Sequence, residues 1–294
     1  SPVSTPFLLD EGHGGSLPCL LALPRGHDAR TPLLVSVHGV TRRPLEHALA
    51  FAGPALAAGA ALLVPLFSEH RHRRYQRLVH PRSGRRSDLA LIDTVAALCA
   101  RHGLGDGPLH LFGYSAGAQF VHRFAMAHPQ RVAALAVGAA GWYTWPDPAL
   151  PYPLGWAGMA DWLGRSPDAQ AFLRLPTRVW VGDRDIAVDD ALRSSPELDD
   201  LQGGSRLERA RRWVQALHRA CHASGLAAGA TLHGVAGAGH DFAQCARRGA
   251  LAESVVDFLL SPRAGAADLR GQASVPSTVS SAREAPQRQA ATPS

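Results

Sequence analysis

Gly113-Tyr114-Ser115-Ala116-Gly117 sets one aliphatic hydroxyl, that of Ser115, between two glycines at a point where the chain changes character. Residues 109–112 before it are mostly apolar and short enough for a buried strand. After it, Phe120, Val121, Phe124 and Ala125 recur at helical spacing, and Pro129 ends the pattern. A tight strand-to-helix turn leaves no room for bulk at its flanks, a demand that Gly113, Ala116 and Gly117 meet. Such a turn lifts the Ser115 hydroxyl clear of a sheet. It also puts the Ala116 N–H at a helix N-terminus, where it can face a developing oxyanion. The same residues also fit an ordinary turn with Ser115 as a helix cap. The rest of the chain has to decide.

A serine hydroxyl attacks a carbonyl only when a base takes its proton, so the chemistry calls for a histidine and an acid that orients it. Thr177-Arg178-Val179-Trp180-Val181-Gly182 reads as a strand, with Asp183-Arg184-Asp185 behind it. Asp185 is the first choice for the acid and Asp183 the second, with Asp189 and Asp190 further along. Residues 230–235 read as a final strand, followed by Ala236-Gly237-Ala238-Gly239-His240-Asp241-Phe242. A histidine in a glycine-rich loop after a strand can swing toward a serine above the sheet. Of the 15 histidines, His240 alone has that order and context. His233, inside the strand, reads as structural. Upstream, Leu33-Leu34-Val35-Ser36-Val37 is a strong strand and His38-Gly39-Val40 follows it. That loop can supply a second oxyanion N–H from Val40, with Gly39 as the alternative, while His38 reads as a brace. Four features in one order, each at the C-terminal end of an expected strand, favour a catalytic turn over a capped one.

The combination resembles the serine α/β-hydrolases over about residues 33–260. Within them it is similar to a group of bacterial hydrolases sharing His38-Gly39-Val40-Thr41-Arg42, Tyr75-Gln76-Arg77-Leu78, Arg86-Ser87-Asp88-Leu89-Ala90-Leu91 and Phe112-Gly113-Tyr114-Ser115-Ala116-Gly117-Ala118-Gln119-Phe120. Gly141-Trp142-Tyr143-Thr144-Trp145-Pro146 and Gln202-Gly203-Gly204-Ser205-Arg206-Leu207-Glu208-Arg209-Ala210 belong with these. The resemblance implies the α/β-hydrolase fold, a mostly parallel central sheet flanked by helices, and the triad Ser115, Asp185 and His240. It implies no particular substrate.

The 294 residues are 46% hydrophobic and 18% charged, which suits one catalytic domain with a large core. All 30 basic side chains are arginine, a compositional bias rather than a binding code. The net charge of +6 raises the question of nucleic acid. Its local source is the stretch from His70-Arg71-His72-Arg73-Arg74 to Arg85-Arg86, together with the C-terminal tail. No nucleic-acid motif accompanies the stretch, so it reads as a solvated loop, with contact to an anionic substrate group as the sharper alternative. Cys19, Cys99, Cys221 and Cys245 lack metal-ligand spacing and read as free thiols, a Cys221–Cys245 bridge being the alternative in an exported protein. No carboxylate or cysteine completes a metal site around His70 and His72.

Residues 48–67 carry no charge and have the length of a membrane span, yet they contain Gly53, Pro54, Gly59 and Pro65. A helix over 44–58 and a strand over 60–64 explain them better. Further strands are expected at 17–23 and 132–138, and helices at 87–102, 206–224 and 245–260. Residues 141–176 hold Trp142, Tyr143, Trp145, Tyr152, Trp156 and Trp162 among six prolines, the makings of a short lid. Gly39, Tyr114, Trp142, Tyr143 and Trp145 are the candidate substrate contacts. The catalytic domain is expected over 1–262, with 263–294 a disordered tail. A cytoplasmic setting is expected in the absence of a visible signal peptide, although the Ser-Pro start leaves export open. The activity expected is hydrolysis of a small-molecule carboxylic ester without a cofactor. Polyester or thioester hydrolysis and a non-catalytic binding role are the alternatives.

Overall fold

Runs of apolar residues with no alternation make strands that are buried on both faces, as in a parallel sheet covered by helices. β3 (Leu33–Val37), β4 (Ala61–Pro65) and β6 (Val132–Gly138) follow that pattern almost throughout. The computed structural model describes residues 7–10, 17–189, 192–248 and 250–261. The remaining strands are β1 (Leu8–Asp10), β2 (Cys19–Ala22), β5 (Leu109–Tyr114), β7 (Thr177–Gly182) and β8 (Thr231–Val235). The eight form one sheet in the order β1-β2-β4-β3-β5-β6-β7-β8. Pairing is antiparallel from β1 through β2 to β4 and parallel from β4 to β8.

Helices cover the sheet. α1 (Pro44–Ala57) begins with a proline whose missing N–H costs nothing in the first turn, and α2 (Ser87–His102) stops at Gly103 in left-handed backbone. α3 (Ala116–Ala127) is buried along its whole length against β3, β5 and β6. α6 (Pro196–Gln202) precedes α7 (Arg206–Ala223), which packs on β7 and β8. Ser205 caps α7 by accepting from the Glu208 N–H, while Glu208 accepts from the Gly204 N–H. That cap sets Arg206 at the head of the helix.

One expectation changes. The single helix over 245–260 is two, α8 (Phe242–Arg248) and α9 (Leu251–Leu260), the second opened by Ala250 at φ 43. The Cys221–Cys245 bridge is not formed, all four cysteines being free and buried. Residues 48–67 fold into α1 and β4, and no helix among the described residues is long and apolar enough to cross a membrane. The tail over 263–294 and parts of the leading segment lie outside the described residues.

Residues 141–176 carry α4 (Met159–Leu163) and α5 (Ala169–Leu173) and lie along α3. The Trp156 indole N–H donates to Met126 Sδ, and Arg165 to the Ala127 carbonyl. The Tyr152 hydroxyl donates to the Arg77 carbonyl, and Arg86 to that of Leu163.

Candidate active site

Ser115 joins β5 to α3 with φ 55 and ψ −111, a backbone that residues with a side chain seldom adopt. Two glycines make the turn possible. A Cβ on Gly113 would lie 2.3 Å from the Gly117 carbonyl oxygen, and one on Gly117 would lie 2.0 Å from that of Val37. The end of β3, the end of β5 and the first turn of α3 are therefore in direct backbone contact. The Ser115 N–H is spent on the Gly138 carbonyl at 2.8 Å.

His240 Nε2 lies 3.0 Å from Ser115 Oγ, and its Nδ1 lies 2.9 Å from Asp185 Oδ2. With Nδ1 donating to the carboxylate, Nε2 is left to accept from the hydroxyl. Asp185 is 1% exposed, and the Arg206 guanidinium is 3.5 Å from its second oxygen. Arg206 itself is buried and holds Asp189 through two hydrogen bonds of 2.7 and 3.0 Å. The Leu207 N–H donates to the Asp185 carbonyl, so the start of α7 grips both ends of this residue. Asp183 has another task, its carboxylate accepting the Gly237 N–H at 2.8 Å. Asp190 lies outside the described residues. The sequence reading places Arg206 within the shared segment 202–210 but gives it no part in the site, because its contact with Asp185 spans distant segments.

The loop after β3 rests on the serine turn. A Cβ on Gly39 would sit 3.5 Å from Ser115 Cβ and 3.6 Å from the Tyr114 carbonyl oxygen. The His38 imidazole braces the loop, donating from Nδ1 to the Gly39 carbonyl at 2.8 Å and accepting the Phe67 N–H on Nε2 at 3.1 Å. The Tyr75 hydroxyl donates to the His38 carbonyl at 2.6 Å. Because the Gly39 carbonyl also accepts the Arg42 N–H, the plane of the 39–40 peptide is held and the Val40 N–H points the opposite way. Neither that N–H nor the one on Ala116 meets an acceptor among the described residues.

Burial keeps the brace neutral. It pushes His38 down to about 4, His47 to about 3 and His72 to about 4. The unfolded chain takes up protons below about pH 6.5 that these folded histidines refuse, so stability must fall as pH drops from about 6.5 toward 4. Thermal melts should show a lower Tm at pH 5 than at pH 7. A flat profile across that range would contradict this account.

The candidate substrate contacts divide. Gly39 touches the serine turn, as above. Tyr114 is buried behind His240, ring centroids 5.6 Å apart, with its hydroxyl 3.3 Å from Cys245 Sγ. Tyr143 has no surface open to solvent, being stacked on Trp213 at 4.6 Å and set against His122. It packs on Trp213 of α7. Trp145 leans toward Arg219, and Trp142 is ringed by arginines. Trp156, Tyr152 and Tyr143 thus attach the segment to α3, to the Tyr75–Arg77 turn and to α7. Among the described residues, no hydrogen bond joins that segment to Ser115, Asp185 or His240.

A family model described as the alpha/beta hydrolase fold matches residues 67–214, just over half of the chain. The chain belongs to that family. Among solved structures, this alpha/beta hydrolase resembles poly(aspartic acid) hydrolase-1 from Sphingomonas sp. KT-1, with a TM-score of 0.72 and 23% identity, covering 85% of this chain and 97% of that one. It also resembles a poly(3-hydroxybutyrate) depolymerase from Bordetella parapertussis, with a TM-score of 0.65 and 27% identity over 82% and 85%. An S-formylglutathione hydrolase from Agrobacterium tumefaciens is more distant, at 0.54 and 15% over 86% and 94%. A comparison with curated protein sequences finds no match.

Proposed function

We propose that this alpha/beta hydrolase cleaves carboxylic esters through an acyl-enzyme on Ser115. The observation that carries the reading is the unbroken hydrogen-bond line from buried Asp185 through His240 to a serine held in strained backbone. His240 Nε2 takes the hydroxyl proton as Oγ attacks the carbonyl, and Asp185 holds the imidazole in register and offsets its new charge. The Val40 and Ala116 N–H groups receive the oxyanion, the second with the help of the α3 N-terminus. The proton then passes to the departing alcohol. Water, activated by the same imidazole, releases the acid. Every step is a proton or acyl transfer, so the residues named suffice and no cofactor enters.

A second reading, polymer-ester hydrolysis on the same residues, draws support from the likeness to the depolymerase. Small p-nitrophenyl esters and a soluble polyester oligomer, assayed side by side, separate the two. A fluorophosphonate probe should label Ser115 within minutes and block both activities. Absence of labelling on folded protein would favour a binding role on a hydrolase scaffold and overturn the proposal.

A further inference from the structure

Trp142 follows the last strand residue of β6 by four positions and is almost fully buried, yet three guanidinium groups converge on its ring. Arg123 Cζ lies 4.2 Å from the ring centroid, Arg193 5.0 Å and Arg77 5.9 Å. They come from three separate parts of the chain: α3, the loop before α6, and the short 3-10 turn at Tyr75–Arg77. Among the described residues, no carboxylate lies within ion-pair distance of any of them. The other buried arginines differ in this respect. Arg206 has Asp189 at 2.7 Å and Arg209 has Asp199 at 2.5 Å.

Arg123 shows the imbalance most clearly. Its Nε donates to Thr144 Oγ1, and its Nη1 to the Gln76 carbonyl and Gln119 Oε1. Its Nη2 is buried and has no acceptor among the described residues. Burial, with Arg77 and Arg193 adding repulsion, pushes this guanidinium down to about 9, and Arg77 is lowered as well. One indole ring attracts cations but does not neutralise three of them. Arg77 is half-buried and Arg193 exposed, so the cluster opens to solvent on that side. It also adjoins the reacting residues. Gln119, which bonds to Arg123, stands one helical turn beyond Ser115, and its amide nitrogen would be 3.2 Å from a Cβ on Gly141.

We infer that Arg77 and Arg193, set around Trp142 and backed by Arg123, form a subsite for a carboxylate that the substrate carries away from its scissile carbonyl. Planar guanidinium groups suit a carboxylate, and their charge survives at every physiological pH. The inference rests on Ser115 being the nucleophile and names the substrate class of that reaction. It also assigns a role to one residue within the arginine-rich stretch, Arg77, which turns inward while Arg71, Arg73 and Arg74 stay exposed.

The test compares esters that differ only in a carboxylate. The p-nitrophenyl monoester of glutaric acid is set against p-nitrophenyl valerate, and 4-carboxyphenyl acetate against phenyl acetate, so that either side of the scissile bond is covered. In one pair the anionic ester should have the higher kcat/KM. The double variant Arg77→Gln/Arg193→Gln should lower that ratio on the order of tenfold or more, and added salt should erode it. Arg71→Gln, which alters an exposed arginine outside the cluster, should keep the ratio. A calorimetric titration with glutarate, in the Ser115→Ala background, reads the subsite without turnover. Binding at low salt should be lost in the double variant, whose fold is checked by circular dichroism. The inference is overturned if neither pair shows an anionic preference that the double variant reduces, or if glutarate binds the double variant as well as the parent. Failure to label Ser115 with the fluorophosphonate would instead sink the reaction and leave the titration to judge the subsite.

Discussion

Ser115→Ala should cost about four orders of magnitude or more in ester hydrolysis and leave the fold in place. The substitution removes one oxygen, whose one hydrogen-bond partner among the described residues is His240 at 3.0 Å, and keeps the Cβ that packs near Gly39. Alanine meets the same backbone strain as serine at φ 55, so the turn neither gains nor loses a conformational penalty. Hydrolysis of p-nitrophenyl butyrate, measured beside a thermal melt, reads both halves of the expectation. Residual activity within tenfold of the parent, at an unchanged Tm, would remove Ser115 from the reaction.

Asp185→Asn should cost about three to four orders of magnitude in kcat with little change in KM. Asparagine is close in shape to aspartate, so packing against Leu207 and the start of α7 is kept. What goes is the charge that stabilises the imidazolium and selects the tautomer in which Nε2 is free to accept. The companion Asp183→Asn should cost about tenfold or less, because its carboxylate serves the Gly237 N–H in a turn at the surface. Kinetics on one neutral ester decide between them. Equal losses in the two variants, or a greater loss at Asp183, would refute the assignment of the acid.

Much of the arrangement is legible in the chain because it depends on local causes. Apolar runs at 33–37, 109–112 and 132–138 specify buried parallel strands without reference to their partners. Gly113 and Gly117 mark a turn that no other residue type can occupy, and His240 follows a strand within a glycine-rich loop. The two residues left open as the acid, Asp183 and Asp185, are separated only by long-range contacts with Gly237 and with His240, which spacing does not encode. The arginines around Trp142 come from three distant segments, although a lone charge at 123 within the apolar face of α3 was a signal in plain view. The packing of the aromatic segment was hidden for a related reason. Composition reports how many rings are present and not which way they point, and Tyr143 and Trp156 turn toward protein.

The attachment of residues 141–176 bears on how the hydrolase works in time. Trp156 and Arg165 are bonded to α3, the helix that carries Ser115 at its head, and Tyr152 is bonded to the Arg77 turn. A segment secured in this way is tied to the helix behind Ser115 and is expected to stay in place during turnover. Ser115 and His240 keep solvent contact with the segment in place. On the proposed mechanism such a wall needs no lipid or polymer surface to displace it, and ester hydrolysis is expected to show no jump in rate when the substrate passes from monomers to an interface.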